Sequence, residues 1–108
     1  MVDHIPLKMM MEVKTNFEDA DFWLVRKGRE DVLGRPMKEF ASGHIGLKLN
    51  DLGRQIADPQ YLYYYFSFLH GRGEWAKLAK GSLSLKHITV SDVKNFLMPV
   101  EASNALGD

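Results

Sequence analysis

One segment of the chain has clear helical periodicity, and it limits the possible folds more than any other feature. Asp58-Pro59 is typical of a helix start, because the carboxylate accepts hydrogen bonds from the first backbone amides and proline suits the first helical position. The apolar residues that follow have the i, i+3, i+4, i+7 spacing of a helix with one buried face: Leu62, Tyr65, Phe66 and Leu69. The sequence therefore predicts one main helix over about residues 58–69.

Short apolar segments on both sides of this helix are typical of strands, two of them with a strict period of two. The predicted strands cover about residues 5–13, 22–25, 44–49, 87–90 and 96–98. A shorter helix is predicted over about residues 74–80, with Trp75 on its apolar side and Gly81 just after its end. We therefore expect an α+β fold, in which one curved mixed or antiparallel sheet packs against the main helix and the shorter helix.

Length and composition indicate one globular domain. The chain has 108 residues, of which 45% are hydrophobic, enough for one core. We expect a single domain over residues 1–100 and a frayed tail over 101–108. The absence of cysteine excludes disulfides and thiolate metal sites and fits a reducing compartment. Neither a signal peptide nor a membrane-spanning segment is evident, so we expect a cytoplasmic protein without a membrane partner.

No arrangement of residues is typical of a catalytic or metal site. The histidines, at positions 4, 44, 70 and 87, lack a second metal ligand at helical spacing. The glycines near residues 28–34 and 71–73 lack the spacing that holds a phosphate group, and Ser82 and Ser84 lack a glycine elbow. We expect no catalytic residue, no bound metal and no small-molecule cofactor. An enzyme whose site gathers distant His and Asp residues remains a third hypothesis.

Basic residues are grouped although the chain has zero formal net charge. Residues 26–54 and residues 70–94 each have an excess of three positive charges, and most of these lie in glycine-containing loops. Lysine, arginine and serine on loops are the groups that contact phosphate oxygens. The candidate DNA-binding residues are Arg26, Lys27, Arg29, Arg35, Lys38, Lys80, Ser82 and Lys86. The alternative is that these are ordinary solvated loop residues.

The predicted main helix also holds all four tyrosines of the chain. A helix has only one buried face, so at least one of these rings must point away from the core. The candidate partner-binding residues are Tyr61, Tyr63, Tyr64 and Trp75. The alternative is that the rings lie at the margin of the core with their hydroxyls in water.

Three motifs follow one another between residues 21 and 99, after a strand that ends in VRKG. They are DPQYLYYY at residues 58–65, LAKGS at 78–82 and ITVSDVKNFLMP at 88–99. This order resembles the target recognition domain of type I restriction–modification specificity subunits. In that family a P-x-Y-L-Y-Y helix, a G-S/T loop and a final I-x-x-x-x-L-x-x-I-x-I-P segment recur in the same order.

The resemblance implies a mixed α/β DNA-binding domain without catalysis of its own, because separate subunits of such systems methylate or cleave. It places the loop of residues 26–38 and the Gly81-Ser82 loop near DNA. The chain resembles a single, truncated copy, and an origin on a mobile element would fit such a relative. The leading hypothesis is therefore a non-catalytic DNA-binding module. The alternative is a protein-interaction module, a homodimer or partner-binding domain that uses the tyrosine-rich helix and has no nucleic-acid role.

Overall fold

The computed structural model describes residues 2–82 and 84–101. The tail predicted at residues 101–108 lies outside the described residues beyond Glu101. The strands are β1 Val2–Pro6, β2 Met11–Thr15, β3 Phe22–Leu24, β4 Lys27–Gly28, β5 Pro36–Met37, β6 Ile45–Leu49, β7 Lys80–Gly81, β8 Lys86–His87 and β9 Leu97–Glu101. The helices are α1 Asp51–Ile56, α2 Pro59–Gly71 and α3 Val90–Asn95. The α+β class and the single main helix are confirmed.

Within the described residues the strands form three small antiparallel sheets, where the sequence predicted one curved sheet. The largest has the order β2–β6–β3–β5, a second has β4–β8–β7, and β1 pairs with β9. The predicted strand over residues 5–13 is divided by one 3-10 turn, Leu7–Met9. Leu7, the first residue of the turn, and Met10, directly after it, are both buried, so the turn lets both side chains enter the core. The two halves of the predicted strand consequently join different sheets.

Helix α2 lies against the four-stranded sheet and buries the face that its sequence predicts. Leu62, Phe66 and Leu69 are buried, whereas Tyr65 is half-buried at the edge of the core. The Asp58 carboxylate accepts a hydrogen bond from the backbone N–H of Gln60 at 2.7 Å, so the predicted start of the helix is confirmed. Burial of these apolar side chains supplies most of the free energy that holds the helix on the sheet.

The predicted short helix over residues 74–80 is wrong. The chain forms one 3-10 turn, Ala76–Leu78, and is already extended at Ala79 before β7 begins. This single turn suffices to place Trp75 in the core, where its ring lies 6.0 Å from Phe66 and 4.8 Å from Phe96 between centroids. The apolar spacing of residues 74–80 therefore suggested a helix, whereas a single turn is enough to bury the Trp75 side chain.

Helix α3 begins one residue after Thr89, within the segment predicted as a strand over residues 87–90. The Thr89 Oγ1 accepts a hydrogen bond from the Asp92 N–H, and the Asp92 carboxylate accepts one from the Thr89 N–H, both at 3.0 Å. This reciprocal pair is a capping box. Ser91, another hydroxyl residue close to the start of the helix, lies exposed in the first turn of α3.

Replacing Thr89 with alanine should lower the free energy of unfolding by about 1 kcal/mol, because the half-buried start of α3 loses its cap. Ser91→Ala should change it by no more than about 0.5 kcal/mol, since that hydroxyl is exposed. Equilibrium urea unfolding of both variants checks this expectation. A larger loss for Ser91→Ala than for Thr89→Ala would show that the cap is misassigned.

Candidate nucleic-acid interface

The three-stranded sheet brings the two basic loops together. In its register Lys27 of β4 lies opposite His87 of β8, and Lys80 of β7 lies opposite the same His87. Directly opposed residues of antiparallel strands point to the same face of a sheet. Lys27, His87 and Lys80 therefore form one line across the three strands, which we call the basic row. Both lysines are exposed and His87 is half-buried.

Backbone contacts fix the position of this small sheet. The Ile88 N–H donates to the Arg26 carbonyl oxygen at 2.9 Å, which extends the pairing of β4 with β8 toward the core. Gly81 has φ of +116°, and a Cβ at this position would lie 2.6 Å from the Leu85 carbonyl oxygen. Only glycine fits this close approach without strain, so the turn that carries Lys80 depends on it.

Lys86 lies on the opposite face from the basic row and connects the two loops. It pairs in register with both Gly28 and Gly81, and its Nζ lies 2.8 Å from the Glu30 carboxylate. The Lys86 side chain is only 20% exposed, so this ion pair is shielded from water on one side. Its charge is largely balanced within the protein, and its main effect is to hold the loops together.

The remaining basic residues of the first loop have different partners. The Arg26 Nε donates to the Gly43 carbonyl oxygen at 2.8 Å, and the Arg29 Nε lies 3.4 Å from the Asp31 carboxylate. The Val25 N–H donates to the Arg35 carbonyl oxygen at 3.0 Å, which places Arg35 next to the end of β3. The Arg35 side chain is exposed. The Lys38 ammonium lies over the Tyr63 ring, 4.9 Å from its centroid. Lys38 thus belongs to the edge of α2 rather than to the basic row.

His44 adds no charge beside Arg26 at neutral pH. Burial lowers the pKa of His44, and the neighbouring Arg26 guanidinium lowers that pKa further. Both effects disfavour the imidazolium form, because it would lose hydration and face a like charge. Arg26 is therefore the cationic group of this part of the surface.

The structure thus groups some of the predicted DNA-binding residues and separates others. Lys27, Lys80 and Lys86 belong to one sheet, with Arg26 directly before β4 and Ser82 directly after β7. His87 is a member of the basic row that the sequence did not predict as a DNA-binding residue. Its position next to Lys86 in a basic loop was the available signal.

The predicted partner-binding residues divide between the surface and the core. Tyr61 and Tyr64 are 62% and 57% exposed. Tyr63 is half-buried, donates its hydroxyl to the Pro36 carbonyl oxygen at 3.3 Å and packs edge-on against Phe22. Trp75 is fully buried, so it lies in the core and not on the exposed surface with Tyr61 and Tyr64. The pocket for the indole is formed by residues that are distant in sequence, among them Gly34, Phe66 and Phe96.

Metal ligands are not gathered in the described part of the chain. Within residues 2–82 and 84–101, no three His, Asp or Glu side chains are close enough to hold a metal ion. In the same ranges, no helix combines the length and the apolar character needed to cross a membrane.

Comparisons with known proteins give one informative likeness. No family model matches the chain, and no curated protein sequence matches it. Its structure is similar to the crystal structure of a type I restriction–modification system S subunit from M. genitalium, with a TM-score of 0.67 and 16% sequence identity. The likeness covers 96% of this chain and 36% of that one, so the chain spans about a third of that subunit. The resemblance inferred from the motifs is confirmed at the level of the fold: the chain folds like one part of a type I restriction–modification S subunit.

Proposed function

We propose that the chain is a non-catalytic DNA-binding module that contacts the phosphates of duplex DNA through the basic row. The observation that carries this proposal is the three-stranded sheet, which places Lys27 and Lys80 on one exposed face although they come from separate loops. A fold shared with an S subunit of a restriction–modification system supports it, since such a system acts on DNA.

The spacing of the lysines in the basic row suits contact with the phosphates of duplex DNA. Lys27 and Lys80 lie on the two outer strands of the sheet, about 10 Å apart at the backbone. Long, flexible lysine side chains at that separation can contact different phosphates. The protein as a whole has zero formal net charge, so any affinity for DNA must come from a local group of cations of this kind.

The double variant Lys27→Ala/Lys80→Ala should weaken the salt dependence of DNA binding. Each lost phosphate contact reduces the slope of log K against log salt by about 0.9, so the double variant should lose about 1.8. Fluorescence anisotropy with a mixed-sequence duplex at several salt concentrations measures this slope. Each single variant should show about half of the change.

A charge-matched control is available on another part of the molecule. Lys14 and Lys94 are exposed and line a shallow depression formed by β2 and α3. Lys14→Ala/Lys94→Ala removes the same charge and should leave the slope nearly unchanged. An equal loss in both double variants would contradict a specific role for the basic row. No binding by the unchanged protein at low salt would restrict the S-subunit likeness to the fold and favour the protein-interaction alternative.

A further inference from the structure

Helix α2 has a solvent-facing side without any charged residue. Between Asp58 and Arg72 the sequence has no Asp, Glu, Lys or Arg. A helix with one face on the core normally carries charged and polar residues on the other. Here the outer side has three large aromatic residues that are more than half exposed: Tyr61, Tyr64 and Phe68. Such a surface is typical of a protein contact.

Four of the outer residues form a continuous stack, which we call the aromatic stripe: Tyr61, Tyr65, Phe68 and Arg72. The ring of Tyr65 stacks between those of Tyr61 and Phe68, with centroid distances of 6.4 Å and 6.3 Å. The Arg72 guanidinium lies over the Phe68 ring at 5.5 Å. The rings hold one another in place, so little side-chain entropy remains to be lost when a partner binds.

The aromatic stripe has no negative charge of its own. Burial raises the pKa of Tyr65, and the neighbouring Tyr61 and Glu74 raise that pKa further, whereas the Arg72 guanidinium offsets part of this rise. Tyr65 therefore remains uncharged at neutral pH. The stripe consists of neutral rings, and at its C-terminal end the Arg72 Nε lies 3.5 Å from the Glu74 carboxylate.

The spacing of the aromatic stripe is the same in both directions along the helix. Its members are separated by four, three and four residues. When two such helices pack antiparallel about a two-fold axis, Tyr61 lies opposite the partner's Arg72 and Tyr65 lies opposite the partner's Phe68. The first contact pairs a cation with an aromatic face, and the second pairs two rings. A surface that complements itself in this way fits the symmetry of a homodimer.

We propose that the aromatic stripe is a homodimer interface on which α2 of a second copy of this chain packs antiparallel. The charges at the helix ends agree with this orientation. Asp58 caps the N-terminal end and Arg72 follows the C-terminal end, so antiparallel packing brings each acid toward the partner's base. The aromatic stripe and the basic row share no residue, so this proposal does not depend on DNA binding.

The interface is small because each copy contributes one helix. It buries less than about 1,200 Å² in total, which is typical of weak association. We expect a dissociation constant on the order of 10–100 µM, and hence monomers in dilute solution and dimers at high concentration.

Sedimentation of the full chain from about 1 µM to about 1 mM tests the proposal. The dimer fraction should rise over this range, and Phe68→Glu should weaken dimerisation at least about tenfold, because two carboxylates would enter the stacked rings. Leu97→Glu is the matched control, since Leu97 is 54% exposed and Phe68 is 55% exposed. Monomers at every concentration, or equal weakening by both variants, would overturn the proposal.

The absence of cysteine allows a test of the register itself. Tyr61→Cys and Arg72→Cys place thiols at positions that oppose each other only between antiparallel copies. A mixture of the two variants should form disulfide-linked dimers under mild oxidation, whereas each variant alone should form few. Equal crosslinking in the mixture and in the single variants would exclude this register and overturn the proposed packing.

Discussion

Gly34→Ala should lower the free energy of unfolding by about 3 kcal/mol, because the added methyl group would overpack the core and alanine would strain the backbone at this position. Gly34 lies beneath the buried indole of Trp75, and a Cβ at this glycine would lie 1.9 Å from the Trp75 Cδ1 atom. The backbone of Gly34 also has φ of +78°, a conformation that side chains rarely adopt. The loop of residues 26–38 would have to lift away from Trp75 to admit even one methyl group.

Alanine substitutions at two other glycines are controls that distinguish the effect of the steric clash from the effect of backbone strain. Gly73 has φ of +71° with no atom within 4 Å of its missing Cβ, so Gly73→Ala should cost about 1 kcal/mol. Gly43 has neither feature, and Gly43→Ala should change stability by less than about 0.5 kcal/mol. Urea unfolding followed by tryptophan fluorescence measures all three. If Gly34→Ala costs no more than Gly73→Ala, the contact with Trp75 is absent.

Phe66→Ala should destabilise the protein by about 3–5 kcal/mol, the usual cost of removing a fully buried phenyl ring. Phe66 has no exposed surface, and its ring lies 5.5 Å from that of Phe22 and 6.0 Å from that of Trp75. Truncation would leave a cavity between α2 and the four-stranded sheet. The neighbouring rings are held by other contacts and can fill that space only in part.

Phe68→Ala is the matched comparison, because it removes the same ring two residues further along the same helix. Phe68 is 55% exposed, so we expect a change of less than about 0.5 kcal/mol. Thermal or urea unfolding of dilute, monomeric protein provides both values. Similar losses in the two variants would mean that the buried and exposed sides of α2 are assigned wrongly.

The sequence predicted those features that depend on neighbouring residues. Helix α2 was predicted because its cap at Asp58 and its buried residues lie within a few turns of one another. The strand at residues 45–49 was predicted for the same reason, since its alternation is local. Helix α1 was missed because Asn50-Asp51-Leu52-Gly53 is also typical of a turn, although Asn50 accepts a hydrogen bond from the Gly53 N–H at 2.8 Å and caps a helix.

Features that depend on distant residues could not be predicted in this way. The burial of Trp75 requires the space above Gly34, which belongs to another loop. The three-stranded sheet consists of strands of only two residues, too short for any periodic pattern. The sequence therefore indicated which loops are basic, and the structure adds that Lys27, Lys80 and His87 lie side by side.

The pairing of β1 with β9 has a consequence for how the protein is made. Val2 lies opposite Glu101 and Pro6 lies opposite Leu97, so this sheet joins the first described strand to the last. On the ribosome, β1 is synthesised before residues 97–101, so its backbone groups have no strand partner until that segment has been made. Contacts between such distant segments slow folding, and an unpaired edge is prone to wrong associations while it waits. We therefore expect this sheet to close after synthesis has passed β9, and the nascent chain to be most vulnerable to aggregation until then.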